Sequence, residues 1–227
     1  AVHATHLEAP QFLSHAINAY KQGGLTQPML EAKQAYIEHY QPDSDYWLIN
    51  YLLEKQDILE QVQHHLRDII QYYHAEAQHK KTAAAFKTAR HWYQFYLHIF
   101  PHQEQTPIIN FLYAELLTTT NHHDSAVKEY EHTAYDYGQH AKAAEAGYAA
   151  LLAYQKHEAT LPVNMCSQWH SNSINSALRF AASFPDHEQV IPVLIHTAQQ
   201  YYAANEFKKA IETATLITAR NTATAEE

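Results

Sequence analysis

Residues 106–139 read TPIINFLYAELLTTTNHHDSAVKEYEHTAYDYGQ and have the form of one helical hairpin. Thr106 can cap a first helix, and Pro107 suits its first turn, where a missing N–H costs nothing. Apolar residues then recur at helical spacing, a polar stretch interrupts them, and a second amphipathic stripe follows. Gly138 ends that stripe with a residue that turns left-handed at little cost. Because two short helices cannot bury their apolar faces alone, the hairpin predicts neighbours of the same kind.

Parts of this pattern recur on both sides of the hairpin. One helix is predicted to end at Phe100-Pro101, and another ends in the same way at Phe184-Pro185. A helix–turn–helix unit that recurs at roughly 34 residues is the signature of a tetratricopeptide array. The sequence resembles that family over residues 57–219. The resemblance implies an all-α fold in which antiparallel helix hairpins stack into a right-handed superhelix.

Small residues set the register of the predicted repeats. Ala126 and Ala210 fall on the family's small position that opens the second helix of a repeat, helix B. Ala114, Gly147 and Ala198 then fall on its small position in the first helix, helix A. Because small side chains let two helices approach closely, we expect these residues at helix crossings. Three residues depart from the family by replacing the large aromatic early in helix A: Asn110, Ala143 and Leu194.

Three regions are predicted along the chain. Residues 1–56 form N-terminal helices that are either a degenerate repeat or a cap, residues 57–219 form the array, and residues 220–227 form a frayed tail. The array starts with one long helix over 57–78, because apolar residues keep helical spacing throughout it. The first turn of the array is predicted near 79–82.

The third repeat of the array is irregular because Pro162 forbids a continuous helix there. Its helix A is predicted over 141–157, and its helix B is delayed to 167–184. We interpret residues 158–167 as an insertion of about ten residues in the turn. A tolerated surface loop is the favoured explanation, and a binding loop on one face of the array is the alternative.

Composition narrows the class of function. The 24 acidic residues outnumber the 15 basic ones, and the net charge of −9 argues against nucleic acid as a partner. No apolar run is long enough to span a membrane, so we expect no membrane insertion. The single cysteine, Cys166, cannot form an internal disulfide. Because the sequence starts at Ala1 without Met, we expect a processed form or a segment of a longer protein.

The 19 histidines form no recognised metal-binding motif. There is no HExxH sequence, and no histidine lies beside a cysteine at zinc spacing. His64 or His65 could share a helix face with a later turn, but the adjacent pair His122 and His123 is the first place to look. Solvated helix faces explain the abundance of histidine, so we predict no metal site and no cofactor.

Catalytic motifs are equally scarce. Cys166 could meet His170 one helical turn later, but a thiolate–imidazole pair also needs an oxyanion hole, and no Gly-rich turn supplies one. There is no close carboxylate pair, no phosphate-binding loop and no dinucleotide fingerprint. We therefore predict no catalytic residue and no enzyme activity.

The resemblance also predicts a binding surface, because helix A of stacked repeats lines an inner curve. The register places five residues there, which we predict to form a partner-binding groove: Phe111, Glu115, Tyr148, Gln199 and Tyr202. Such a groove would hold an extended peptide or a partner helix, and the acidic chain would favour a basic or neutral one. Two alternatives stay open. The chain itself could fill the groove, or Tyr148 could belong to the core beside Leu151.

Residues 132–157 and 184–211 look like segments of large tetratricopeptide proteins in the cell envelope of Gram-negative bacteria. The resemblance implies a periplasmic location, although a cytoplasmic one stays open, and a role as scaffold in an envelope or secretion-associated complex. We thus predict a non-enzymatic scaffold that binds a protein or peptide. The alternative is a histidine-dependent metal-binding domain or an accessory domain of an envelope enzyme complex.

Overall fold

The computed structural model describes residues 3–51, 53 and 56–223, with all of their side chains except those of residues 163, 164 and 220–223. Every regular element in this part of the chain is an α-helix, which confirms the all-α prediction. The helices are α1 (Ala9–Gln22), α2 (Thr26–Tyr40), α3 (Asp45–Ile49), α4 (Gln56–Lys80), α5 (Ala83–Ile99), α6 (Thr106–Thr119), α7 (His123–Tyr135), α8 (Ala143–Glu158), α9 (Val163–Ser183), α10 (Val190–Ala203) and α11 (Phe207–Ala223). None of these described helices combines the length and the apolarity needed to cross a membrane.

The helices gather into two compact units, Ala1–Ile109 and Asn110–Glu227, and the boundary falls inside α6. In the first unit α1 packs on α2, α2 packs on α4, and α4 packs on α5. The boundary predicted after residue 56 lies within this unit, because α2 shares its core with α4. In the second unit α7 packs on α8, α8 on α9, α9 on α10, and α10 on α11.

Aromatic side chains build much of the core of the first unit. Tyr36, Tyr40 and Tyr46 follow one another edge to face, with ring centroids 4.7 and 5.0 Å apart. The indole N–H of Trp47 donates a hydrogen bond to the backbone oxygen of Tyr40 at 3.1 Å. These contacts hold the short helix α3 against α2, since edge-to-face rings bury area and also attract each other.

The predicted long helix and the turn that follows it are confirmed. Helix α4 runs two residues beyond the predicted end, and Lys81 then adopts the left-handed conformation with φ of 53°. The Thr82 hydroxyl accepts a hydrogen bond from the backbone N–H of Ala85 at 3.3 Å, so it caps the start of α5. The turn therefore ends one helix and starts the next without glycine or proline.

In the second unit a buried amide joins α6 to α7. The side-chain NH₂ of Asn110 donates to the backbone oxygen of Glu129 at 2.9 Å and to the Thr133 hydroxyl at 3.0 Å. Asn110 is one of the residues that depart from the family pattern. The contact explains that departure for the NH₂ group, whose two donors find partners on the facing helix, whereas Oδ1 has no partner among the described residues.

Small residues do lie where helices cross closely. A Cβ atom at Gly147 would meet ring atoms of Phe180 and Phe184 at 3.0 Å and the hydroxyl of Tyr135 at 3.3 Å. Only glycine therefore lets α8 approach α9 and the end of α7 this closely. Ala114 and Ala126 are completely buried, and Ala210 is nearly so, as the predicted register requires. Ala198, the remaining small residue of that register, is only partly buried.

Two local interpretations of the first hairpin are wrong. The Thr106 hydroxyl donates back to the backbone oxygen of Phe100 and accepts from the N–H of Gln103, so it ties down the preceding turn and does not cap α6. Helix α7 ends at Tyr135, and Gly138 lies outside the left-handed region. A Cβ atom at Gly138 would meet nothing within 4 Å, so neither conformation nor space requires glycine there.

The predicted insertion is mostly helix. Helix α8 ends at Glu158 and α9 starts at Val163, so the interruption is limited to residues 159–162. Pro162 stands just before α9 with ψ of 147°, where its missing N–H costs nothing and where its ring cannot clash with an earlier turn. The extra residues lengthen α9 at its start. At the other end of the unit, α11 continues to Ala223, and residues 224–227 of the predicted frayed tail lie outside the described residues.

Candidate functional site

The five residues predicted to form one groove do not line one cavity. Tyr148 lines a cavity of about 190 Å³ with residues of α9 and α10, whereas Gln199 and Tyr202 line a different cavity of about 410 Å³ between α10 and α11. Phe111 and Glu115 belong to α6 and contact α7. The predicted surface is therefore divided into three places within the second unit.

Phe111 is a core residue, which corrects its place in the predicted groove. Its side chain is only 7% exposed, and its ring lies 5.7 Å from that of Tyr130. The ammonium group of Lys142 lies 5.0 Å from the ring centroid, at cation–π distance. Because it is buried and makes these contacts, Phe111 stabilises the hairpin and offers little surface to a partner.

Glu115 is exposed, but its carboxylate already has an internal partner. The Tyr130 hydroxyl donates a hydrogen bond to it, and the Thr118 hydroxyl lies 3.4 Å from the same phenol oxygen. Burial and then the nearby Glu115 carboxylate raise the pKa of Tyr130 well above its ordinary value. Glu115 thus keeps a buried tyrosine satisfied, and only part of its charge is available to a ligand.

Tyr148 is half-buried and packs against the core. Its ring lies 6.0 Å from Phe180 and 6.0 Å from His187, beside a cluster that includes Leu151 and Leu194. The alternative that Tyr148 is a core residue therefore has geometric support. Its remaining surface faces the smaller cavity.

Gln199 and Tyr202 lie in an exposed apolar groove, which we name the α10–α11 groove. The seven residues that line it are Ala198, Gln199, Tyr202, Phe207, Ala210, Ile211 and Ala214. Tyr202 and Ile211 are each 67% exposed, and the rings of Tyr202 and Phe207 meet edge to face at 5.4 Å. Exposed apolar surface of this kind marks interaction sites more often than scattered single residues do.

Sequence reasoning missed Phe207 and Ile211, although a signal for both was present. They stand three residues before and one residue after Ala210, the small residue that opens helix B. At the same offsets from Ala126 the chain has His123 and Val127. Phe207 and Ile211 are more apolar than the residues at the matching positions of α7, and this difference could have identified the groove.

Cys166 and His170, which were considered and rejected as a catalytic pair, have other hydrogen-bond partners. The Cys166 thiol donates to the backbone oxygen of Pro162 at 3.3 Å, one turn back on its own helix. His170 Nδ1 lies 2.9 Å from a carboxylate oxygen of Glu158. Each side chain is thus engaged with a different group, and neither contact activates the sulfur as a nucleophile.

The histidine pair that was the first candidate for a metal site is built into a helix start. His122 Nδ1 lies 2.9 Å from the backbone oxygen of Thr120, and His123 is buried in the first turn of α7. Burial lowers the pKa of His123, with Lys156 and His157 as further causes. Among the described residues, neither ring belongs to a group of three or more potential metal ligands.

Within the described part of the chain, potential metal ligands come together on α4, at His64, His65 and Asp68. One ligand atom from each side chain lies within 4.8 Å of the others. Burial, followed by the charge of Lys33, lowers the pKa of His65 to about 4, so this imidazole is neutral at neutral pH. Asp68 also forms an ion pair with the Lys33 ammonium.

Comparisons with known proteins do not define a family. No protein-family model and no curated protein matches the chain. Among solved structures it is similar to the crystal structure of BtubC (BKLC) from P. vanneervenii, with 15% sequence identity and a TM-score of 0.38. That match covers 96% of this chain and 91% of the other. A likeness at this score carries no argument about repeat type or function.

Proposed function

We propose that this protein is a non-enzymatic scaffold for protein–protein interaction, built from tetratricopeptide-like hairpins, and that the α10–α11 groove is its binding surface. The exposed apolar lining of that groove is the observation that carries the proposal. Burial of apolar surface stabilises a complex by roughly 25 cal/mol per Å², so the exposed groove is a strong candidate for association.

A second hairpin of the same unit indicates what the groove binds. Ile211 follows Ala210 as Val127 follows Ala126, so the two residues hold matching positions in α11 and α7. Val127 is 3% exposed and Ile211 is 67% exposed. The same position is thus buried in one hairpin and open in the other.

The difference comes from a neighbouring helix. Helix α7 packs against α8, which buries a stripe of small side chains at Ala146, Ala150 and Ala153. The floor of the α10–α11 groove is itself made of alanines, so a helix with a similar small-residue stripe could approach it closely. We therefore propose that the partner presents an amphipathic helix with alanine or glycine at that spacing, docked in the helix-in-groove mode.

Charge contributes little to this surface. Six of the seven lining residues carry no ionisable group, and the seventh is a tyrosine. Nearby Lys209 already pairs with Glu206. A neutral apolar helix face suits the groove better than a basic peptide does, and binding should depend only weakly on salt.

The place of this scaffold in the bacterial envelope, in the periplasm or in a secretion-associated complex, stays a prediction. It rests on the resemblance of residues 132–157 and 184–211 to envelope scaffolds, and no other observation bears on it.

The proposal is tested by capture of partners from a bacterial envelope extract with four forms of the protein. We expect Tyr202→Ala and Ile211→Asp to lose a protein that the wild type and Lys208→Ala both retain. Lys208 is a matched control because it is 91% exposed in its side chain and lies on α11 outside the groove. Retention of every captured protein by the two groove variants would contradict the proposal, provided that circular dichroism shows them folded.

A further inference from the structure

His65 is a buried histidine whose two ring nitrogens have no hydrogen-bond partner among the described residues. His65 lies on α4 and is 5% exposed. The centroids of its ring and of the Tyr36 ring lie 4.9 Å apart, with the two rings edge to face. An unsatisfied buried polar group is destabilising, and a bound ion or water is one of the explanations for such a group in a native protein. The unpaired nitrogens therefore point to a ligand.

Two further ligand groups lie beside His65 on the same helix. His64 Nε2 is 3.5 Å from Asp68 Oδ2, and ligand atoms of all three side chains lie within 4.8 Å of one another. The edge of a tetrahedral zinc site with imidazole ligands is about 3.3 Å. Small rotations of the side chains would bring the three groups to that spacing while the backbone of α4 stays in place.

Two of the three side chains, Asp68 and His64, are accessible from solvent. Asp68 lines an open cavity of about 440 Å³ together with Lys33 and residues of α1, α2 and α4. His64 is exposed, and Asp68 keeps a third of its side chain exposed. An ion could therefore enter without unfolding of the unit, and water could fill the remaining coordination positions.

The Lys33 ammonium would compete with a metal ion for the Asp68 carboxylate. The Lys33 side chain is buried and its ammonium pairs with the Asp68 carboxylate, so a cation already occupies the place next to this ligand. A divalent ion would have to displace that ammonium into the open cavity. The competition weakens metal binding and also makes it sensitive to the residue at position 33.

We propose that His64, His65 and Asp68 bind one divalent transition-metal ion, of which Zn²⁺ is the simplest example, in place of the Lys33 ammonium. Two imidazoles and one carboxylate suit zinc, cobalt and nickel better than magnesium or calcium. The site lies in the first unit, whereas the α10–α11 groove lies in the second, so either proposal can fail without the other.

Calorimetric titration of ZnCl₂ into the protein tests the site. We expect one ion to bind per chain in the wild type, and His64→Ala and His65→Phe each to weaken that binding by about tenfold or more. Phenylalanine keeps an aromatic ring against Tyr36, and His64 is exposed, so at least one of these variants retains the fold. His79→Ala is the matched control, since His79 is an exposed histidine on the same helix, and it should bind as the wild type does.

Lys33→Met gives the sharpest outcome, because it removes the competing charge and leaves the three ligands. We expect it to bind Zn²⁺ about tenfold tighter than the wild type and to gain more thermal stability from the ion. Titration with Co²⁺ should give the visible absorption of a site with nitrogen and oxygen ligands. The proposal is overturned if the wild type shows no saturable one-to-one binding, or if His64→Ala and His65→Phe bind like the wild type.

Discussion

The hairpins α6–α7 and α10–α11 share a register of small residues but differ in what covers them. Ala126 and Ala210 hold matching positions, as do Val127 and Ile211. Helix α7 packs against α8, so its apolar residues belong to a core. The corresponding face of α11 is exposed and forms one side of an apolar groove. The role of a residue in these hairpins therefore depends on the next helix as much as on its own position in the pattern.

The largest effect is expected when a charged residue replaces Val127, which is the buried residue of the matched pair Val127 and Ile211. Val127→Asp should lower the free energy of unfolding by roughly 3–5 kcal/mol, because the carboxylate is buried without a partner. Ile211→Asp should change it by less than about 0.5 kcal/mol, because the side chain stays in water. Urea denaturation of both variants checks this contrast. Similar losses in the two variants would show that the face of α11 is covered.

Overpacking at the small residues gives the next largest contrast. Ala126→Leu should destabilise the protein by roughly 1–3 kcal/mol, since Ala126 is completely buried between helices. In Ala210→Leu the longer side chain can extend into the α10–α11 groove, and we expect a smaller loss. The melting temperatures of the two variants provide the measurement. An unchanged melting temperature for Ala126→Leu would refute the register.

Tyr148 and Tyr202, which were both predicted to line the groove, should differ in the same way, with a larger loss of stability at the more buried residue. Tyr148→Ala removes ring contacts with Phe180 and His187, and we expect a loss of roughly 0.5–3 kcal/mol. Tyr202→Ala should leave the stability within about 0.5 kcal/mol of the wild type while it abolishes partner capture. Chemical denaturation and the capture assay together distinguish a core tyrosine from a binding one. Loss of the fold in Tyr202→Ala would place Tyr202 in the core.

The smallest effect concerns the pH dependence of stability. Tyr130 in α7 has a raised pKa, whereas α11 has Ala214 at the matching position. In the folded protein the pKa of Tyr130 lies above the ordinary value of 10.0. The stability that the protonated Tyr130 contributes is therefore fully present below pH 10 and is lost as the pH rises through the raised pKa. Tyr130→Phe should lose roughly 0.5–1.5 kcal/mol at neutral pH with the hydrogen bond to Glu115. Its stability should then fall less steeply above pH 10.

Unfolding in urea at a series of pH values from about 8 to about 11 measures this effect. Tyr202→Phe is the control, since it removes a tyrosine hydroxyl from an exposed side chain. An identical slope in Tyr130→Phe and the wild type would mean that Tyr130 ionises equally well in both states.

Local features of the fold were predictable because they depend on neighbours in the chain. The helical spacing of apolar residues places α4 within two residues of its observed ends. Gly147 was expected at a close crossing, and the atoms that a Cβ would meet agree with that expectation. Thr106 was misinterpreted because its hydroxyl bonds to the preceding turn, and Gly138 because α7 ends at Tyr135, before this residue is reached.

The candidate sites were harder to predict because each depends on which helix lies opposite. Phe111 and Tyr202 both stand on helix A positions that the register assigns to a groove, but only Tyr202 is exposed. In the sequence, nothing except its place on α4 distinguishes His65 from the many other histidines. Its spacing of three residues from Asp68 on one helix could be read from the sequence, but its burial against Tyr36 emerges only when α2 and α4 are packed together.

The amino-acid sequence by itself determined the helical class, the hairpins and the small residues at their crossings, because helix spacing, caps and side-chain volume act over a few residues. Only the tertiary structure decided which apolar positions are core and which are free. Burial is a property of pairs of helices, and the same alanine register is compatible with a covered face in α7 and an open one in α11. The tertiary structure likewise decided that Asp68 faces Lys33, because this ion pair joins α4 to α2.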